Sequence, residues 1–259
     1  MNGRKVPVSE IPALEEPRLG SFARRALKKI GFLSIAEKIA TSRAISESEI
    51  ARLVDQAGIP VLIKLVKIAR ERSKPILDSS QLGVSQDFYK VGRDLNDLIT
   101  PAWISEIKNR GVNRVELPLQ PGAVSSLTEA GIQVDLVSDF DRIITHDDIV
   151  AEFVKLSSLV NSSGRVKSWM PVLTPASGQY QEAAARDFQL LRLVGIARIV
   201  CGDRISIRIA RSLLSVDARP YAALAGSTDV VNYSPVDPVD GEIFIRTFSL
   251  QKTGENSFL

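Results

Sequence analysis

Hydrophobic and polar positions change their period part-way along the chain. Between residues 21 and 43, Phe22, Ala26, Ile30, Leu33, Ile35 and Ile39 recur at helical spacing, and Gly31 predicts a break between two helices. Ser46 and Glu49 have capping-box spacing ahead of the stripe Ile50, Leu53 and Val54, which predicts a third helix ended by Gly58 and Pro60. PVLIKLVKIARER, residues 60 to 72, predicts a fourth helix with its lysines opposite the apolar face. From Pro75 onward the pattern shortens. PILDSS, NRVELPL, IQVDLVS, VKSWMPVL, RISIRIA and STDVVNYS are β-rich runs bounded by Gly, Pro, Asp or Asn, and helical segments separate most of them.

That alternation predicts an α/β chain of βα units with a parallel sheet and right-handed crossovers. The fold expected is a partial or complete parallel β/α barrel behind an N-terminal helical preface. Six candidate strands are fewer than the eight of a closed barrel, and a doubly wound open sheet is the alternative. The chain divides on this reading into an arm and helical preface over 1–74 and a barrel-like domain over 75–259. Residues 1 to 18, with Pro7, Pro12 and Pro17 and little periodicity, read as an extended arm.

Composition narrows the classes. At 259 residues, 44% hydrophobic and 24% charged, the chain has enough apolar residues for a sizeable core. A net charge of +3 spread over interspersed Lys, Arg, Asp and Glu is too mild to imply nucleic acid. The densest basic groups, Arg24, Arg25, Lys28 and Lys29 and then Lys64, Lys67, Arg70, Arg72 and Lys74, fit solvated helix faces. No run reaches the roughly 18 apolar residues of a membrane span, and no signal peptide is apparent, so the expected address is cytoplasmic with no membrane partner. One cysteine, Cys201, excludes an intramolecular disulfide and any all-cysteine zinc or iron–sulfur site within one chain.

In parallel α/β folds the site lies at the C-terminal ends of the strands, which singles out Asp78, Glu116, Asp139, Thr174, Ser177, Arg208, Arg211 and Asn232. Each also has a bland role as a helix cap or loop hydrogen-bond partner. TPASGQ, with Thr174, Ser177 and Gly178, follows a strand and precedes a helix, so its amides suit an anion, although it matches neither GxGxxG nor a Walker pattern. The loop QPGAVSS, Gln120 to Ser126, has the same character and the same weakness. Arg208 and Arg211 lie in and just after a strand, where a buried guanidinium needs a carboxylate, a phosphate or a polar network. Their three-residue separation puts them on opposite faces of an ideal strand. His146, the one histidine, lies beside Asp147 and Asp148, and Thr145 or His146 ahead of two aspartates reads as a helix start better than as a metal site. Cys201 reads as a small buried hydrophobe, and Ser-His-Asp catalysis has no local signature, since GxSxG is absent. No residue earns a catalytic assignment, and the sequence leaves open whether the chain is an enzyme.

Three landmarks, in order, carry a resemblance. They are SWMPVLTPASG, Ser168 to Gly178; DFQLLRLVGIARIVCGDRISIRIAR, Asp187 to Arg211; and ALAGSTDVVNYSP, Ala223 to Pro235. Together they resemble the C-terminal barrel units of the radical S-adenosylmethionine superfamily, in particular biotin synthase, the hydrogenase maturase and methylornithine synthase. The helices before Pro75, including SESEIARLVD, are similar to that superfamily's helical preface. The resemblance implies a TIM-like barrel, S-adenosylmethionine as ligand, a role in cofactor or amino-acid biosynthesis, and Arg208 and Arg211 facing the substrate. It also requires CxxxCxxC after the first strand. PILDSSQLGVSQDFYKVG has no cysteine, only Ser79, Ser80 and Ser85, so no [4Fe–4S] cluster is expected. Two expectations result. One is a cluster-free barrel, in effect a pseudoenzyme scaffold, that binds a small metabolite or S-adenosylmethionine through Glu116, Arg208, Arg211 and the Thr174 to Gly178 loop. The other is a non-catalytic subunit that partners an intact radical enzyme through its basic helices or an exposed barrel edge.

Overall fold

The computed structural model describes residues 20–70, 85–91, 95–140, 145–173, 181–231 and 243–248. Four helices come first: α1 (Ser21–Lys29), α2 (Leu33–Ala40), α3 (Glu47–Gln56) and α4 (Ile59–Arg70). The break between α1 and α2 falls at Gly31, whose φ of 77° is costly for any residue with a Cβ. At the start of α3 the Ser46 amide donates to Glu49 Oε2 at 2.9 Å, the return half of the expected capping box. Ile50 and Leu53 of that helix are essentially fully buried. At about 1.5–3 kcal/mol for each such side chain against about 1 kcal/mol for a cap, burial outweighs capping in holding α3 in place. Pro60 does not close α3 at a distance; it occupies the second position of α4, where its missing amide has no intrahelical acceptor to lose.

The α/β part follows in the order β1 (Ser85–Val91), α5 (Leu95–Leu98), α6 (Pro101–Asn109), β2 (Arg114–Pro118), α7 (Pro121–Glu129), β3 (Gln133–Asp139), α8 (His146–Ser162), β4 (Val166–Val172), α9 (Gln181–Cys201), β5 (Ser206–Ala210), a 3-10 turn (Arg211–Leu213), α10 (Arg219–Ala225), β6 (Asp229–Val231) and β7 (Ile243–Phe248). The sheet order is β1-β7-β2-β3-β4-β5-β6. From β2 to β6 the five strands are parallel and stand in chain order with no switch point. The chain is therefore α/β with a parallel sheet, as its periodicity predicts. Five of the six predicted runs are strands of this sheet, and PILDSS lies outside the described residues.

Three expectations need correction. β7 pairs antiparallel with both β1 and β2, so the sheet is mixed, and β6 is not the last strand. QPGAVSS is not a loop but the start of α7, because Pro121 at the first helical position has its φ already set for a helix. Asp139 closes β3 instead of standing after it.

One continuous hydrophobic core runs from Leu27 of α1 to Ala225 of α10. α4 packs on α9 and α10, and α3 packs on α8 and α9, so the N-terminal helices lie against the helices that accompany the sheet. The side of the sheet facing α8 is fixed by aromatics. Trp169 of β4 meets Phe153 of α8 with ring centroids 5.9 Å apart, and Phe140 stands edge-on to Trp169 at 6.1 Å. Behind them the Ser138 hydroxyl donates to Glu152 of α8 at 2.6 Å and accepts from Trp169 Nε1 at 2.8 Å. Burial without full compensation pushes the Glu152 carboxyl up from its ordinary value.

Candidate functional site

Strand side chains alternate between faces. Since Ser138 and Trp169 point at α8, Asp135, Val137 and Asp139 of β3 and Ser168, Met170 and Val172 of β4 belong to the opposite face. The strand register arranges that face in rows. One row runs Glu116, Asp135, Ser168, Ser206 across β2 to β5. Two residues further along each strand, toward the C-terminal ends, come Pro118, Val137 and Met170, with Arg208 on β5 and its partner Asp229 on β6. A continuous parallel sheet is ordinarily apolar on both faces, so a row of acids and hydroxyls here demands partners.

Most of that demand is met around Asp135. Arg114 donates to both of its oxygens, at 2.5 and 2.7 Å, in a bidentate pair, and the Ser168 hydroxyl donates to Oδ1 as well. The Asp135 side chain is only 2% exposed and Arg114 13%. One guanidinium thus already neutralises this carboxylate.

Arg208 is the group left over. Its side chain is 7% exposed, and its ion pair is a long one, 3.6 Å from Nη1 to the same Asp135 Oδ1 that Arg114 and Ser168 occupy. Among the described residues its guanidinium makes no hydrogen bond. Burial pulls its pKa below the ordinary arginine value, and the carboxylates of Asp135, Glu116 and Asp229 act against that pull, while Arg114 adds to it. A buried cation with five donors and one stretched contact is an electrostatic preference for an added anion. Among the described residues exposure rises toward the strand C-termini, where Pro118, Val137 and Asp139 are half-buried while Asp135 and Ser168 below them are closed off.

The structure thus joins Glu116 and Arg208 on one face. Glu116 is 8% exposed and engaged in an interaction of its own. Arg211 is not brought to them. It is exposed at the head of the 3-10 turn, and its carbonyl accepts from Arg219 at 3.3 Å. Thr174, Ser177 and Gly178 lie outside the described residues, as do Asp78 and Asn232. Arg114, Asp135, Ser168 and Asp229 escaped the sequence reading because they sit at the starts or in the middle of strands rather than at their C-terminal ends. The available signal was a polar residue at the same depth in successive β runs, VEL, VDL, KSW and ISI.

No protein-family model and no curated protein matches the chain. The remaining features are structural. Of the two expected starts of α8, Thr145 is the cap, its hydroxyl accepting from the Asp148 amide at 3.1 Å while its own amide donates to the Asp148 carboxylate at 3.2 Å. His146 is exposed beside Asp147. Cys201 ends α9 fully buried, and burial pushes its thiol up to about 12. A [4Fe–4S] cluster needs several thiolates, so a chain with one cysteine, held as a buried thiol, does not fit that group. Two surface grooves, about 550 Å³ beside Ile104, Lys108 and Glu129 and about 530 Å³ beside Glu47 and Asp147, contain none of the strand residues above. Among the described residues no helix is long and apolar enough to cross a membrane.

Proposed function

We propose that the chain is a cluster-free relative of the radical S-adenosylmethionine barrels that binds a small carboxylate-bearing metabolite, S-adenosylmethionine included, on the sheet face carrying Arg208. The observation that carries this reading is the buried Arg208 guanidinium without a hydrogen bond among the described residues. Barrel ancestry is supported by the chain-ordered strands β2 to β6. Right-handed crossovers then put the connecting helices on one side, as in a barrel and unlike a doubly wound sheet. Burial of Asp135, Ser168 and Arg208 on the other side suits a sheet that curls around them. Binding at the C-terminal ends of parallel strands is the usual arrangement in such folds. The site would serve ligand recognition in cofactor or amino-acid metabolism without radical chemistry.

Calorimetry with S-adenosylmethionine on protein reconstituted anaerobically with iron and sulfide tests this. The expected result is binding that falls at least about tenfold in Arg208→Gln, with no iron retained at cluster stoichiometry. Iron at cluster stoichiometry, or binding unchanged in the variant, overturns the reading.

A second reading, a non-catalytic subunit of an intact radical enzyme, has its own observation. Among the described residues β6 ends the sheet, and its own Val230 and Tyr221 and Leu224 of the adjoining α10 are exposed. Co-purification with a cysteine-motif homologue, lost on Tyr221→Lys and Leu224→Lys, supports it; independence from those residues removes it.

A further inference from the structure

Arg208 and Asp229 are direct partners across β5 and β6, so their side chains leave the same face of the sheet next to one another. They form no ion pair with each other. Arg208 reaches instead across β4 toward Asp135 on β3. The Asp229 carboxylate, half-buried, has no hydrogen bond or ion pair among the described residues; only its backbone carbonyl accepts, from the Ser227 hydroxyl at 2.8 Å. A cation and a carboxylate thus stand side by side with neither satisfied by the other. Beside them on the same row lie Met170, Val137 and Pro118, an apolar strip of which the last two are half-buried.

The charge balance sharpens the point. The charges that act on Arg208 are the carboxylates of Asp135, Glu116 and Asp229 and one other guanidinium, that of Arg114. A phosphate or a dicarboxylate would bring two or more negative charges beside these carboxylates, and of the two guanidiniums Arg114 is already engaged by Asp135. A ligand that brings one carboxylate and one cation leaves the balance unchanged and pairs both idle groups. We infer that the site of the preceding section takes a zwitterion of the α-amino-acid type, its carboxylate on Arg208, its ammonium on Asp229 and its apolar body along Met170, Val137 and Pro118. This rests on that reading and adds the ligand's charge class to it.

The test is calorimetry on the full chain with norleucine, hexanoate, pentylamine, inorganic phosphate and S-adenosylmethionine. The first three share one apolar chain and differ only in carrying both charged groups, the carboxylate alone or the ammonium alone. Norleucine is expected to bind at least about tenfold tighter than hexanoate or pentylamine, with no heat from phosphate. Asp229→Asn, folded by circular dichroism, is expected to bring norleucine down to the level of hexanoate. Equal binding of norleucine and hexanoate, or binding of phosphate as tight as norleucine, overturns the zwitterion assignment and leaves carboxylate recognition standing. If S-adenosylmethionine alone binds, Asp229→Asn decides, and unchanged affinity overturns the assignment. Silence from every carboxylate overturns both this inference and the reading beneath it.

Discussion

Two buried arginines ten residues apart, Arg198 on α9 and Arg208 on β5, show how structure and site differ within one helix–strand unit. Arg198 is 1% exposed and saturated. It donates to the carbonyls of Gly202 at 2.6 Å, Gly226 at 2.9 Å and Ile205 at 3.4 Å, and to Asp203 at 3.1 Å and Thr228 at 3.4 Å. Those partners close the end of α9 and tie it to the turn after α10. That turn depends on Gly226, whose φ is 118° and where a Cβ would meet Arg198 Cβ at 2.7 Å. Burial depresses the pKa of both arginines. Only Arg198 has its donors filled. An arginine whose desolvation is offset by five partners explains itself, whereas Arg208 asks for something else to complete it.

The largest effect expected is therefore at Arg198. Arg198→Met removes every one of those bonds and leaves Asp203 and three carbonyls without their donor, so urea denaturation should show a loss of about 3–5 kcal/mol. A loss below about 1 kcal/mol would mean that the corner holds without its arginine, and the contrast with Arg208 would lose its basis. Arg114→Met comes next. It strips the Asp135 carboxylate of its bidentate partner, but Arg208 is already 3.6 Å away and free to close in, which should limit the loss to about 2–3 kcal/mol. A loss as large as that of Arg198→Met would show that Arg208 does not move to replace it. Arg208→Met should change stability by less than about 1 kcal/mol in either direction, because Asp135 keeps Arg114 and Ser168. Ligand binding, not stability, is what this variant should lose.

How much of this the chain announces depends on range. Helix starts such as Ser46 with Glu49 and Thr145 with Asp148 are written within four residues, and the structure keeps them. The runs around Val115, Leu136, Trp169, Ile207 and Val230 are legible because their βα periodicity is local. β1 and β7 are not. SQDFYKV lacks clean alternation, and its partner IFIRTF lies more than 140 residues away, with no hairpin turn to announce the pairing. The site fails for the same reason. Arg114 and Asp135 are 21 residues apart and meet only through register, and the geometry that makes Arg208 surplus is that Arg114 arrives first. Strand-end reasoning found Glu116 and Arg208 but also offered Arg211, since a turn immediately after β5 carries it to solvent.

A third buried ionisable group, Glu152, gives the smallest effect and the finest test of the idea that partners decide what burial costs. Its carboxyl accepts from Ser138 at 2.6 Å and has Lys155 at 3.8 Å, but Lys155 is half-exposed and its charge is screened. Burial wins, and the folded pKa lies above the ordinary value of 4.5. The folded chain then binds this proton more tightly than the unfolded chain does. The stability that the protonated group contributes is complete below the unfolded value and is lost as pH rises through the raised folded value. Glu152→Gln keeps a hydrogen-bonding group beside Ser138 and removes the titration. The stability of the native protein minus that of Glu152→Gln, read from urea midpoints between about pH 4 and pH 8, should therefore fall as pH rises, by no more than about 1 kcal/mol. A flat difference would mean that Ser138 and Lys155 together compensate the buried carboxylate. The helix side of the sheet would then be as well satisfied as the Arg198 corner, and Arg208 would stand alone among these groups in wanting a partner.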